Sequence, residues 1–226
     1  MKITYLGQNC LWIETKEYKI MVDPFITGNP INSNIKVSDY YPDYILLTHA
    51  HQDHVADVET LATLGSAKII SNYEIVSYYE KKGYQGHGMN TGGSFSFPFG
   101  KLTSVVAHHS SVFPDGTYGG NPNGYVLSVG DKTVYIAGDT ALTYDMRLIP
   151  LLCGKIDLAV LPIGDNFTMD ARAATMAAEF VECKRVLGCH YDTFPPIEIN
   201  HDYAKKFFEE DNKELILLDL GESLEV

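Results

Sequence analysis

At 226 residues, 45% hydrophobic and 20% charged, the chain has ordinary globular composition and enough apolar side chains for a sizeable core. A formal charge of −12, with no Lys/Arg run longer than two, excludes a nucleic-acid partner, because phosphate-backbone binding needs clustered cations that release counterions. Membrane-length apolar runs and a signal-peptide core are absent, so a cytoplasmic chain with no membrane partner is expected. Cys10, Cys153, Cys183 and Cys189 show no CxxC spacing and are expected to be buried thiols.

Residues 2–6, 10–14 and 18–22 read as three short strands, the first turn lying at Gly7-Gln8-Asn9. Pro24 stops pairing after the third and leaves Asp23 at a strand tip. Residues 26–42, rich in Asn, Pro, Ser and Gly, are expected to form an irregular loop. The apolar run 44–47 predicts a buried strand that leads into Thr48-His49-Ala50-His51-Gln52-Asp53-His54, and 55–62 predicts a helix closed by Gly65. His49 and His51, two apart on extended backbone, can point the same way, while Asp53 and His54 enter the first helical turn. Four ligand-type residues in six positions, split into two pairs, suit two adjacent metal ions better than one.

A strand over 67–70 and a helix over 73–82 follow, the helix stopped by Gly83. Residues 84–100 interleave glycines with Phe95, Phe97 and Phe99, which suggests a strand pair; no GK[ST] follows, so this is no phosphate loop. A strand over 102–107 runs into His108-His109, and 110–122 is a second polar loop. Strands over 125–129 and 133–137 flank a Gly130-Asp131 hairpin turn, the second ending in Gly138-Asp139-Thr140. A helix over 143–152 and a strand over 156–161 lead to Gly164-Asp165-Asn166. The helix over 170–183 carries Ala174, Ala177, Ala178 and Val181 as a core-facing stripe. A strand over 185–189 ends at His190, and a helix over 201–210 and a strand over 214–219 finish the chain. Each half places hairpins first and strand–helix units after, with Asp23 and Asp139 at equivalent tips. The expectation is an α/β (α+β) chain folded as a four-layered αββα sandwich, one domain over 1–226.

The order His-x-His-x-Asp-His, a His after a strand, Gly-Asp-Thr and a late His after a strand resembles the metallo-β-lactamase superfamily over the whole chain. Within it the chain looks most like a prokaryotic family of metal-dependent hydrolases related to the ascorbate-6-phosphate lactonases. The closer likeness rests on Asp23-Pro24-Phe25, His87-Gly88-Met89-Asn90, Gly119-Gly120-Asn121-Pro122, the stretch from Pro162 to Phe167 and the stretch from His190 to Pro195. The resemblance implies a metallo-β-lactamase-like fold with two divalent ions per chain. His49, His51 and His109 would hold one, Asp53, His54 and His190 the other, with Asp139 bridging both. Zinc heads the ions that imidazole and carboxylate ligands suit, with manganese or iron as alternatives. It further implies a bridging hydroxide that attacks a small ester, lactone or phosphoester, oriented by Asp53 as the catalytic residue.

Two positions depart from the family pattern: Gln52 stands where Gly is usual, a packing difference, and Gln8 where His is frequent, which removes a pocket imidazole. Only one of the adjacent His108 and His109 can face the metals, and the resemblance selects His109. Asp23 is expected to orient a ligand histidine from behind, or to serve only as a turn residue. His87, Asn166 with Thr168, and Tyr191 are expected at the substrate, against surface, turn and neutral readings. His201 is read as solvated or capping. Asp139 and His190 lie 51 positions apart, too close for the inserted domain of the RNA-processing branch, and 36 residues follow His190, short of the helical domain of the glutathione-thioester branch. A redox di-iron relative would carry Glu where His51 stands. The reading is a metal-dependent hydrolase with a small-molecule substrate, of lactonase or phosphodiesterase type, a homo-oligomer staying open. The alternative is a non-enzymatic metal-binding or regulatory scaffold that keeps the fold.

Overall fold

The computed structural model describes residues 1–32 and 34–226; Ser33, inside the expected loop 26–42, lies outside the described residues. Strands β1 (Lys2–Tyr5), β2 (Leu11–Glu14) and β3 (Lys19–Val22) form an antiparallel meander, to which β4 (Tyr44–Leu46), β5 (Lys68–Ser71) and β6 (Gly86–Gly88) add in parallel. The second sheet repeats this plan. Strands β7 (Ser94–Phe97), β8 (Gly100–Val106), β9 (Asn123–Val129) and β10 (Lys132–Ile136) are antiparallel, and β11 (Leu158–Pro162), β12 (Arg185–Cys189) and β13 (Glu214–Ile216) continue in parallel. A last strand, β14 (Ser223–Glu225), returns to pair antiparallel with β1, giving two sheets of seven strands. Asp23 follows β3 and Asp139 follows β10, the strand in each sheet where pairing switches from antiparallel to parallel. The internal echo is thus topological.

Period-two alternation along the strands sorts the core into three apolar layers. Ile20 and Val22, Leu46, Ile70, Val134 and Ile136, and Leu187 meet between the sheets. Met21, Ile45 and Ile69 face outward beneath α2 (Val58–Gly65) and α3 (Tyr73–Glu80), whose Leu61 and Ile75 cover them. Tyr135, Ala159 and Val186 lie beneath α4 (Leu148–Cys153), α5 (Ala171–Phe180) and α6 (His201–Glu210), which contribute Ile149, Ala177 and Phe208. The small alanines of α5 let that helix lie close to the sheet, and the result is the αββα order.

Several boundaries differ from the sequence reading for local reasons. The helix expected over 55–62 is two, α1 (Gln52–Val55) and α2, because buried Asp57 at the break accepts the Ile26 and Thr27 amides at 2.6 and 2.9 Å and ties down the chain after Asp23. The helix expected over 143–152 opens as a 3-10 turn, Tyr144–Arg147, before α4. The two strands within 84–100 do not pair with each other; β6 joins β5 and β7 joins β8, so this stretch carries the chain from one sheet to the other. The strand expected over 214–219 stops at Ile216, and a turn at Leu220-Gly221, closed by the Glu222 amide donating to the Asp219 carbonyl, leads the chain into β14. All four cysteines are free thiols, three of them buried. Among the described residues, no helix is long and apolar enough to cross a membrane.

Candidate metal centre

Five strand ends supply the cluster, which gives each side chain a rigid base. Past β4 the chain bends at Thr48, and His51 is the N-cap residue of α1, so Asp53 and His54 fall in its first turn. His49 is fully buried; its Nδ1 lies 3.0 Å from Thr48 Oγ1, leaving Nε2 at 3.0 Å from His51 Nδ1. The His109 ring, beyond β8, stands 5.1 Å from both of those rings. Each of the three offers a ligand atom within 4.8 Å of the others.

Asp53, His54 and His190 make a second group on the same criterion. Asp53 Oδ2 lies 3.4 Å from His54 Nε2 and 3.7 Å from His190 Nε2. Asp139 stands between the groups. Its Oδ2 is 3.8 Å from His49 Nε2 and 3.5 Å from His109 Nε2 on one side, and 3.4 Å from His54 Nε2 and 3.1 Å from His190 Nε2 on the other. His109 therefore faces the cluster. The adjacent His108 is exposed, with Nε2 3.7 Å from Asp145 Oδ2 and its amide donating to Thr140 Oγ1.

Asp23 could join His49 and His54 as a third metal-capable group, but its carboxylate is already engaged. Oδ1 accepts the Thr48 amide at 2.8 Å, and Oδ2 takes the Thr48 hydroxyl at 2.6 Å and faces His54 Nδ1 at 2.9 Å. That contact fixes the His54 ring with Nε2 toward Asp139, and Nε2 itself is buried without a hydrogen-bond partner. An orphaned ring nitrogen among carboxylates and imidazoles is what a cation site requires.

The electrostatics agree. Burial favours a neutral His54, yet Asp139, Asp53 and Asp23 outweigh it and hold its pKa well above the ordinary value. His190 is raised to about 9, burial again opposing and Asp139 prevailing. Asp139 and Asp53 move the other way: burial would raise them, but the facing His190 and His54 rings hold both below the usual carboxylate range. His49, His51 and His109 are shifted down, chiefly by burial. A cation held here would need His54 and His190 deprotonated, so its binding would release protons.

Sequence reasoning missed the turn that braces these carboxylates. Asn9 Nδ2 donates to Asp139 Oδ1 at 2.7 Å, Gln8 Nε2 donates to Asp53 Oδ2 at 2.8 Å, and the Gln8 carbonyl accepts the His190 amide at 2.9 Å. Gln8, Asp23 and His190 all sit in the left-handed region, with φ of 56°, 41° and 54°, a backbone cost borne where the site needs those directions. Gly164 makes room for the last of them, since a Cβ there would collide with the His190 carbonyl.

A cavity of about 550 Å³ opens onto the cluster, with Phe25, Phe167 and Phe194 in its wall beside His51, Asp53, His109, Asp139 and His190. None of the four residues expected at the substrate, His87, Asn166, Thr168 and Tyr191, is among its lining. His87, on β6, packs against Phe95 and Phe97 with ring centroids 4.3 and 4.9 Å away. Tyr191 is buried in the outer core, stacked on Tyr5 and edge-on to His201. Asn166 is exposed at a φ of 50°, and its neighbour Phe167 reaches the cavity instead. His201 pairs with Asp192 Oδ2 at 2.6 Å, and the cap of α6 is Asn200, whose side chain accepts the Tyr203 amide.

A family model described as a beta-lactamase superfamily domain matches residues 2–190. The chain is 58% identical over 226 residues to a UPF0173 metal-dependent hydrolase of Flavobacterium johnsoniae, covering 100% of both chains. It is 55% identical over 227 residues to another of Christiangramia forsetii, again covering 100% of both. Among solved structures it is similar to Igni18, a metallo hydrolase from the hyperthermophilic archaeon Ignicoccus hospitalis, with a TM-score of 0.89, 32% identity, and coverage of 99% of this chain and 97% of that one.

Proposed function

Because the chain belongs to the beta-lactamase superfamily and to its metal-dependent hydrolases, we propose that it cleaves a small ester, lactone or phosphoester at a two-metal centre. His49, His51 and His109 would hold one ion and Asp53, His54 and His190 the other, with Asp139 facing both groups. One observation carries the number two: a single Asp139 oxygen faces four imidazoles, two from each group, at 3.1–3.8 Å. When bound, two divalent ions, zinc first with manganese or iron as alternatives, supply Lewis acidity and bring the pKa of water to about 7.

The chain's own groups do the rest. Asp23 fixes the His54 ring, and Thr48 orients His49. Asp53 is 24% exposed where Asp139 is 3%, so Asp53 is the carboxylate positioned to orient an entering water. Ser110 Oγ lies 3.3 Å from His51 Nε2 at the cavity wall and offers a neutral donor to the reacting group.

The test is turnover of p-nitrophenyl esters, lactones and bis-p-nitrophenyl phosphate by protein reconstituted with zinc or manganese. Hydrolysis is expected to vanish on chelation, return with the metal, and be lost in His190→Ala. Hydrolysis indifferent to chelation and to that substitution would overturn the proposal.

A further inference from the structure

We propose that the substrate is an uncharged ester or lactone bearing an apolar, preferably aryl, group, and that Phe25, Phe167 and Phe194 select it; this rests on the hydrolase reading above. The three rings come from separate segments: Phe25 follows the Asp23 tip, Phe167 follows the Asp165-Asn166 turn, and Phe194 lies four residues beyond His190. Phe25 and Phe194 already stack, with centroids 6.2 Å apart and 29° between planes. Phe167 is 55% exposed although it borders the reacting groups, so an apolar face stands ready to be covered by a ligand.

Away from the proposed ligands the remaining wall is neutral: Gln8, Thr27, Gly28, Gln52 and Ser110. Among the described residues, no Lys or Arg lines this cavity. A remote phosphate or carboxylate on the substrate would need charge-assisted donors, which Arg or Lys ordinarily supply. The net charge of −12 also repels anions at long range. A phosphorylated sugar lactone, the substrate type of the related lactonases, therefore finds no partner for its phosphate. An aryl or alkyl group does find one, because burial against the Phe167 and Phe194 rings, with the 5% exposed Phe25 packed behind Phe194, and offset stacking both favour it. Water adds to the acyl carbon and the acyl C–O bond breaks: an ester gives one carboxylic acid and one alcohol, and a lactone gives a single hydroxy acid.

The experiment compares 4-nitrophenyl butyrate with 4-nitrophenyl hemisuccinate, nearly the same shape with an added carboxylate, on zinc-loaded protein. Ligand-observed NMR follows the binding of neutral butyranilide and of glucose 6-phosphate to the same protein. The neutral ester is expected to show a kcat/KM about tenfold or more above the hemisuccinate, a ratio ordinary for one pocket contact. Phe167→Ala and Phe194→Ala are expected to raise KM for the butyrate several-fold with kcat little changed, and Phe167→Leu to restore much of it. Preference for the hemisuccinate, or binding of glucose 6-phosphate in place of the anilide, would overturn the substrate class while leaving the hydrolase standing. Anilide binding that Phe167→Ala abolishes, without turnover of any ester, lactone or phosphoester, would keep the aryl site and overturn the hydrolase. No anilide binding at all would overturn the aryl site.

Discussion

Asp139→Ala is expected to lower kcat/KM by about 10³-fold or more and to leave the protein unable to hold two ions at once. The size follows from position. Asp139 is 3% exposed, and its Oδ2 faces His49, His54, His109 and His190 together, so its loss touches both halves of the proposed centre. Removing it also takes away the carboxylate that most raises His190 and leaves the Asn9 amide without its acceptor. Asp139→Asn separates chemistry from packing, because it keeps the volume and removes the charge. Its melting temperature is expected to stay near that of the parent while activity and metal content fall as in the alanine variant. Kinetics, thermal melts and metal analysis on both variants check this. Full activity in Asp139→Asn would show that the carboxylate's charge is not needed.

The second large effect is expected from Asp23→Ala, this time on the fold as well as the site. Asp23 is fully buried and serves three groups: the Thr48 amide, the Thr48 hydroxyl and the His54 ring. Its removal strands those partners in the core, and breaking a buried, paired charge costs about 3–5 kcal/mol. Urea denaturation of the metal-free protein is the measurement, with metal affinity falling about 10- to 100-fold in parallel through the freed His54 ring. A change confined to stability, with metal affinity intact, would make Asp23 a structural strut and remove its role in orienting His54.

The first motif was legible because its chemistry is local: His49, His51, Asp53 and His54 share six residues, and a strand-to-helix passage aims them. His109, Asp139 and His190 were legible as residues at strand ends, and the repeated hairpin-then-crossover order placed those ends on one rim. What was not legible depends on contacts distant in sequence. Asn9 meets Asp139 across 130 residues and Gln8 meets Asp53 across 45, and nothing in a Gly-Gln-Asn turn distinguishes a brace for carboxylates from an ordinary turn. His87 drew attention as an imidazole in a glycine-rich stretch, yet β6 pairs with β5 and its ring goes to Phe95 and Phe97. Phe167 and Phe194 lie in stretches that carry the family likeness without a role of their own, and only the folding of both segments toward Phe25 gives them a common wall. The split at Asp57 was hidden because its partners, the Ile26 and Thr27 amides, lie about 30 residues upstream in a loop without periodicity.

Anomalous diffraction at the zinc edge from crystals of the reconstituted protein tests the two-metal centre most directly. Two peaks per chain are expected, one flanked by His49, His51 and His109, the other by Asp53, His54 and His190, with the Asp139 carboxylate between them. A single peak at full zinc occupancy, or peaks away from these residues, would contradict it.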